Sequence, residues 1–331
     1  MLVVIQLCLT LVLRPWRCWV VGGLLWSLAV PPAAGQIRHR PNHVAAPVAK
    51  PASKAVPADP PAVQAKLTRA ASLSSEFKDS EALALYQDVL KTVPSHYLAL
   101  WRAAVLSVRI GGRYSDETRK AAYFDAARRY AERALLIQPE GGESNYAVAL
   151  ALFNQASLYR AGARLLAFRN LRSHVYLATE RRPDLPEAWQ LRGRWQYRVA
   201  HYNLLERVYS KLVLGGVPEG GSSREAMAAL EKARQLAPQN IQFCYDLARM
   251  CRYQGRRQRA IEVLREAEKI PPVTSEDLVV SRLCRQMLPP LLRAAARHQR
   301  RNPAQEEAPT VSPDPNGPKP PPDTLGKKEA R

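Results

Sequence analysis

Arg194, Tyr197 and Arg198 cluster within little more than one helical turn, and Arg249, Arg252 and Tyr253, just after Tyr245, repeat the arrangement further along the chain. A guanidinium presents a planar fork of donors that matches a carboxylate, and it stacks on an aromatic face. Arginines interleaved with tyrosines at this spacing therefore suit a carboxylate-bearing ligand such as an acidic peptide. No other grouping of residues suggests chemistry. The six histidines, His39, His43, His96, His174, His201 and His298, have neither an HExxH arrangement nor another paired metal spacing. There is no phosphate-binding GxxxxGK[ST] loop, no GxGxxG and no GxSxG. The expectation is a non-catalytic protein with no cofactor and no metal.

Charge widens the choice of partners. Lys and Arg total 49 against 29 Asp and Glu, a net of +20. Such an excess attracts polyanions, so a second reading is a binder of polyanions or of an anionic membrane surface acting through bulk charge. Nothing points to a specific nucleic-acid site.

The elements that position these residues are helical. Ala, Leu and Arg dominate the middle of the chain, and they lose little side-chain entropy in a helical turn. No stretch shows the apolar/polar alternation and Asn-Gly or Asp-Gly turns of a hairpin. Prolines close successive units at Pro94, Pro139, Pro183, Pro238 and Pro272. Only the last interval has the standard length of about 34 residues of a tetratricopeptide repeat. In that unit, Ile241–Pro272, Cys244, Leu247, Ala248 and Cys251 occupy the signature positions of a first helix, and Ala260, Leu264 and Ala267 those of a second. Small residues at these places let paired helices approach closely.

Earlier units are stretched. His96–Ile110 pairs with Glu117–Ile137, and Glu143–Tyr159 with Ala163–Thr179, while Glu81–Leu90 reads as the second helix of the first repeat. The fourth unit has Trp189 and Gly193 in its first helix, then an insertion running to Gly215–Gly221, then Ala226, Leu230 and Ala233. Thr274-Ser275-Glu276-Asp277 starts a final helix that covers the end of the stack. The fold expected is an all-α, tetratricopeptide-type helical-hairpin solenoid of about five repeats with a C-terminal capping helix.

In repeats of this class the first helices line a concave groove. The likeness implies that Glu187, Gln190, Arg194, Tyr197 and Arg198 face it, as do Gln242, Tyr245, Arg249, Arg252 and Tyr253. The competing reading leaves these arginines solvated or paired with Glu187, Glu206 and Asp246. Trp189 and Trp195 fall at helix-packing positions and are expected in the core, and Arg252–Arg259 reads as a solvated helix face and turn. Cys244 and Cys251 are seven residues apart, about 10 Å along one helix, too far for a disulfide. With Cys284 they read as buried small apolar residues.

The segment Leu191-Arg192-Gly193-Arg194-Trp195-Gln196-Tyr197-Arg198-Val199-Ala200, followed by Glu206-Arg207, resembles the regulator-of-microtubule-dynamics family. The Gly215-Gly216-Val217-Pro218 turn, Ala226–Pro238 and Pro272–Asp277 continue the resemblance, which covers about Ser80 to Leu291. It implies a repeat fold with an inserted fourth unit; eukaryotic members associate with microtubules and organelle membranes.

The ends read differently. Residues 1–35 carry Arg14 and Arg17, an apolar Cys18–Val30 run and the small-residue segment Pro31–Gly35, the anatomy of a signal peptide. Neither apolar run alone reaches the roughly 20 residues needed to cross a bilayer. A cleaved signal implies an exported, periplasmic or extracytoplasmic protein, an exported bacterial member of the family; the alternative is an anchor through residues 1–30. Residues 36–65 form a Pro-, Ala- and Lys-rich linker, 66–300 the repeat domain, and 301–331 a Pro-rich tail, both flanks being too poor in bulky apolar residues to fold.

Overall fold

The computed structural model describes residues 59–301. The expected signal or anchor, most of the linker, and the tail beyond Arg301 lie outside the described residues. Among the described residues every regular element is a helix. In chain order they are α1 (Pro61–Ser75), α2 (Asp79–Thr92), α3 (Tyr97–Arg113), α4 (Glu117–Ile137), α5 (Gly142–Gln155), α6 (Ala161–Arg181), α7 (Pro186–Ala200), α8 (Leu204–Val213), α9 (Ser223–Leu236), α10 (Ile241–Tyr253), α11 (Arg257–Ala267) and α12 (Ser275–Arg301).

Five helical hairpins stack in sequence: α1/α2, α3/α4, α5/α6, α7/α9 and α10/α11. The helical body starts at Pro61, ahead of the expected Lys66. Pro61 is tolerated there because the first helical residue needs no N–H for the intrahelical ladder. The fourth unit holds an extra helix, α8, between its two partners, and α12 packs on α10 and α11 as the cap.

Alanine sets the spacing. Ala99, Ala131, Ala149, Ala226, Ala248 and Ala260 are fully buried. The helices of the fourth hairpin meet at Gly193: a Cβ there would lie 2.8 Å from the Ala226 carbonyl and 2.9 Å from Leu230 Cγ. Only glycine lets α7 and α9 meet at this distance. Trp195 fills the space beside it, fully buried, its indole N–H donating to the Phe168 carbonyl at 2.8 Å and its ring edge-on to Tyr176. The fifth hairpin turns at Gly255, whose φ of +72° favours glycine. The capping helix opens with a reciprocal cap, Thr274 Oγ1 accepting from Asp277 N–H and the Asp277 carboxylate from Thr274 N–H, both at 3.0 Å. Its Val280, Cys284, Met287 and Leu291 close the apolar cluster of the last two hairpins.

First helices of successive hairpins neighbour one another, α3 with α5, α5 with α7 and α7 with α10. This places them on the inner side of the stack. One long-range tie bridges its two ends: Arg113, at the end of α3, pairs with Glu276 at the start of α12 and with the buried Asp79, 2.5 Å away, at the start of α2.

Candidate functional site: the inner face of the solenoid

Helices α3, α5, α7 and α10 supply the inner face. Three arginines on it lie over aromatic rings: Arg102 over Trp101 at 4.1 Å, Arg194 over Phe153 at 4.8 Å and Arg249 over Tyr245 at 5.9 Å. A guanidinium over a ring gains cation–π attraction while its N–H edge stays available. Among the described residues none of the three makes an ion pair with a carboxylate, whereas Arg109 and Arg113 are tied to Asp79. The three positions come from three different hairpins, so the cationic track follows the stack and not a single helix.

Tyr146 of α5 lies at the centre of this face. Its phenol is held above its ordinary value by burial first and by the Glu187 charge second, with Arg109, Arg194 and Arg102 opposing. The hydroxyl thus stays neutral, and the surrounding charges include three arginines and one carboxylate. Between α7 and α10, the buried carboxylate of Asp246 accepts from Gln190 Nε2 at 2.7 Å and from Gln242 Nε2 at 3.2 Å. Two neutral amides hold it, so it locks the fourth first helix to the fifth without consuming an arginine.

The sequence-predicted residues divide into three groups. Arg194 and Arg249 lie on rings with no carboxylate partner among the described residues, and Tyr245 is the ring beneath Arg249. Arg252 and Tyr253 sit at the exposed end of α10, 5.9 Å apart. Arg198 and Tyr197 are engaged within the chain. Arg198 forks onto both oxygens of Glu206, the contact to Oε2 being 3.1 Å, and lies over the rings of Phe168 and Tyr202. It therefore joins α7 to α8. Tyr197 stacks on His201 at 4.0 Å, and His201 in turn meets Gln254 at 3.0 Å. Of the two tryptophans assigned to the core, Trp195 is fully buried and Trp189 half-buried beneath Arg192. In the basic run, Arg252, Arg256 and Arg257 are exposed, and Arg259 pairs with Glu231 and Glu262.

Sequence reasoning passed over Trp101-Arg102 and Phe153. Both lie on helices that were legible, but stretched repeats obscure the register that would have placed them on the inner face. The glutamine-held Asp246 left no signal in one dimension.

Among the described residues no cluster of His, Cys, Asp and Glu is arranged to hold a metal. Cys244, Cys251 and Cys284 are free and buried; burial pushes the Cys244 thiol up to about 11 and Cys284 to about 12. Neither forms the thiolate needed for nucleophilic work near neutral pH.

Hairpins stacked through small residues, with first helices inside and a terminal helix over the exposed end, define a tetratricopeptide-type solenoid. A thermophilic TPR protein of Thermus thermophilus shares this fold, with a TM-score of 0.50 and 16% identity over 68% of this chain and all of that one. The family model described as Regulator of microtubule dynamics protein 1-3 matches residues 67–292, and the chain belongs to that family. Regulator of microtubule dynamics protein 3 of Mus musculus is 26% identical over 185 residues, covering 54% of this chain and 38% of the mouse protein. The Bos taurus protein is 27% identical over 183 residues, with the same coverage. The chain thus spans well under half the length of these relatives.

Proposed function

We propose that the protein is a non-catalytic scaffold that binds an acidic peptide or protein segment along the inner face of its solenoid. The observation that carries this reading is the row Arg102, Arg194 and Arg249. Each guanidinium is pre-oriented on an aromatic ring and none is spent on an internal carboxylate among the described residues. A protein stabilised for its own sake would neutralise such a row, as this one does with Arg198, Arg234 and Arg259 at other places. An extended peptide with spaced Asp or Glu side chains meets successive arginines by bidentate hydrogen bonds, while the rings of Trp101, Phe153 and Tyr245 hold those arginines from beneath.

Arg194→Ala combined with Arg249→Ala tests this. Removing two charge-assisted contacts weakens binding of an acidic peptide by roughly 100-fold, taking about 1.5 kcal/mol for each. Undiminished affinity in the double variant removes the inner face from consideration. Binding through the net charge of +20 alone behaves differently: it survives the two substitutions and falls steeply with salt.

A further inference from the structure

The inserted helix α8 is inverted relative to every other amphipathic helix of the stack. Its polar residues Glu206 and Ser210 are the buried ones. Leu204, Leu205, Val208 and Leu212 point outward, with exposures of 76, 79, 47 and 78%, and Tyr209 and Val213 extend the same face. These positions lie at i, i+1, i+4 and i+8, which form one continuous sector of a helix. Leu166 of α6 is also exposed, one turn beyond Gly162, where the Tyr209 hydroxyl rests. Exposed single leucines are ordinary, but a contiguous run on one short helix marks an interaction surface.

The geometry of α8 is fixed from below. Asn203 and Glu206 form a capping box, with Glu206 N–H donating to Asn203 Oδ1 at 2.8 Å and Asn203 N–H donating to Glu206 Oε2 at 3.0 Å. The same carboxylate receives Arg198 and lies 3.5 Å from Arg164. Gly216 N–H donates to the Ser210 carbonyl at 2.8 Å and holds the other end. The leucines are therefore outward because the polar side is bolted inward.

Charge says what meets them. From Arg160 to Arg172 the α6 strip beside α8 has four arginines and no acidic residue. Arg207 and Lys211 flank the apolar sector and make no ion pair among the described residues. The two nearby carboxylates are already engaged, Glu206 by Arg198 and Glu219 by Arg172. A second copy of the chain, docked by a two-fold axis, would bring these cations against their own counterparts. A planar surface with an apolar interior and an anionic rim fits instead. We infer that α8 is an interfacial membrane-docking helix, lying in the plane of an anionic lipid surface with Leu204, Leu205, Val208 and Leu212 in the acyl boundary and Arg169, Arg207 and Lys211 on the headgroups. Its ten residues span about 15 Å, far short of a bilayer, so it lies on the membrane and does not cross it.

Hydrogen exchange of the full chain, alone and on vesicles, tests this region by region, so that any attachment through the N-terminal apolar runs is read separately. On vesicles of phosphatidylcholine with phosphatidylserine, amides of Leu204–Val213 are expected to exchange about tenfold more slowly than in solution, and on phosphatidylcholine alone to be unchanged. Leu205→Glu with Leu212→Glu abolishes that protection; because both side chains are almost fully exposed, the helical circular dichroism stays as in the parent. Arg169→Glu with Lys211→Glu reduces it and is the second arm should the leucine variant misfold. Absent protection on anionic vesicles, equal protection on both vesicle types, protection retained in both variants, or protection that rises with protein concentration without lipid (a second copy) overturns the inference.

Discussion

The fourth and fifth hairpins are neighbours built on one plan and put to different uses. In the fifth, α10 and α11 are joined by a short turn through Gly255, and their large apolar residues Ile241, Phe243, Leu247, Ile261 and Leu264 are all buried. In the fourth, α7 and α9 close to glycine distance at Gly193, yet the chain between them leaves the hairpin to form α8, which shows its apolar side to solvent. Fold stability explains the first arrangement fully. It cannot explain the second, because outward leucines add nothing to the folded state and invite association. The contrast teaches that a repeat is the part of this chain optimised to pack, and an insertion is where a surface is added without disturbing the packing.

The sharpest way to break the comparison is through Trp195. Its ring is fully enclosed and its N–H is satisfied by α6, so Trp195→Ala removes a large buried volume and leaves the Phe168 carbonyl without its partner. A loss of about 3–5 kcal/mol is expected in urea denaturation. Stability in a solenoid is shared between nearest neighbours, so hydrogen exchange in α6, α7 and α9 should rise more than in α11 and α12. A uniform rise would show that the fourth and fifth hairpins unfold as one unit.

How legible these two regions were follows from the same contrast. The standard repeat could be read residue by residue, because Ala248, Ala260 and Ala267 sit at fixed offsets and each is buried as that spacing requires. Helices α3 to α6 could be read as pairs from their flanking prolines and glycines, and α12 from its Thr-Ser-Glu-Asp start. The insertion could be bounded but not described: nothing in the sequence says which side of a ten-residue helix faces out. That is decided by Arg198 and Arg164 reaching Glu206 from α7 and α6, contacts between residues distant in sequence. For the same reason Arg198, read as groove-facing, is drawn toward α8, while Arg194, one turn earlier, stays over Phe153.

Glu206 tests whether α8 is separable from the repeat that carries it. Burial by itself would raise the Glu206 carboxyl. The hydrogen bonds from Arg198 and the Asn203 N–H, with the charges of Arg198 and Arg164, outweigh it and hold the group below the ordinary carboxylate range. Glu206→Gln keeps the shape and removes the charge, at a cost of about 1–2 kcal/mol for the cap and its ionic bonds. If α8 opens by itself, its amides exchange about tenfold faster in the variant while α10 and α11 are unchanged, since roughly 1.4 kcal/mol is tenfold. Acid acts in the same direction: the stabilisation is complete above the ordinary carboxylate pKa and is lost as pH falls through the lowered folded value.

The smallest effect lies outside both hairpins and gives the pH control for them. His174 of α6 is partly buried, with Nδ1 2.7 Å from Asn145 Oδ1. The Asn145 amide nitrogen donates to the Pro139 and Gly141 carbonyls, so its oxygen faces the imidazole and the histidine Nδ1–H is the donor. Burial lowers the His174 pKa below 6.5. The unfolded chain then binds a proton more readily than the native one, so this contribution is complete above pH 6.5 and is lost as pH falls from there towards the folded value. The slope from one such group is no steeper than about 1.4 kcal/mol per pH unit. Urea midpoints of the parent should therefore fall between pH 7 and pH 5.5, and His174→Gln should flatten that part of the curve while retaining the acid limb due to Glu206. If the slope survives the substitution, the proton is taken up elsewhere, and the third hairpin is as indifferent to mild acid as the fifth.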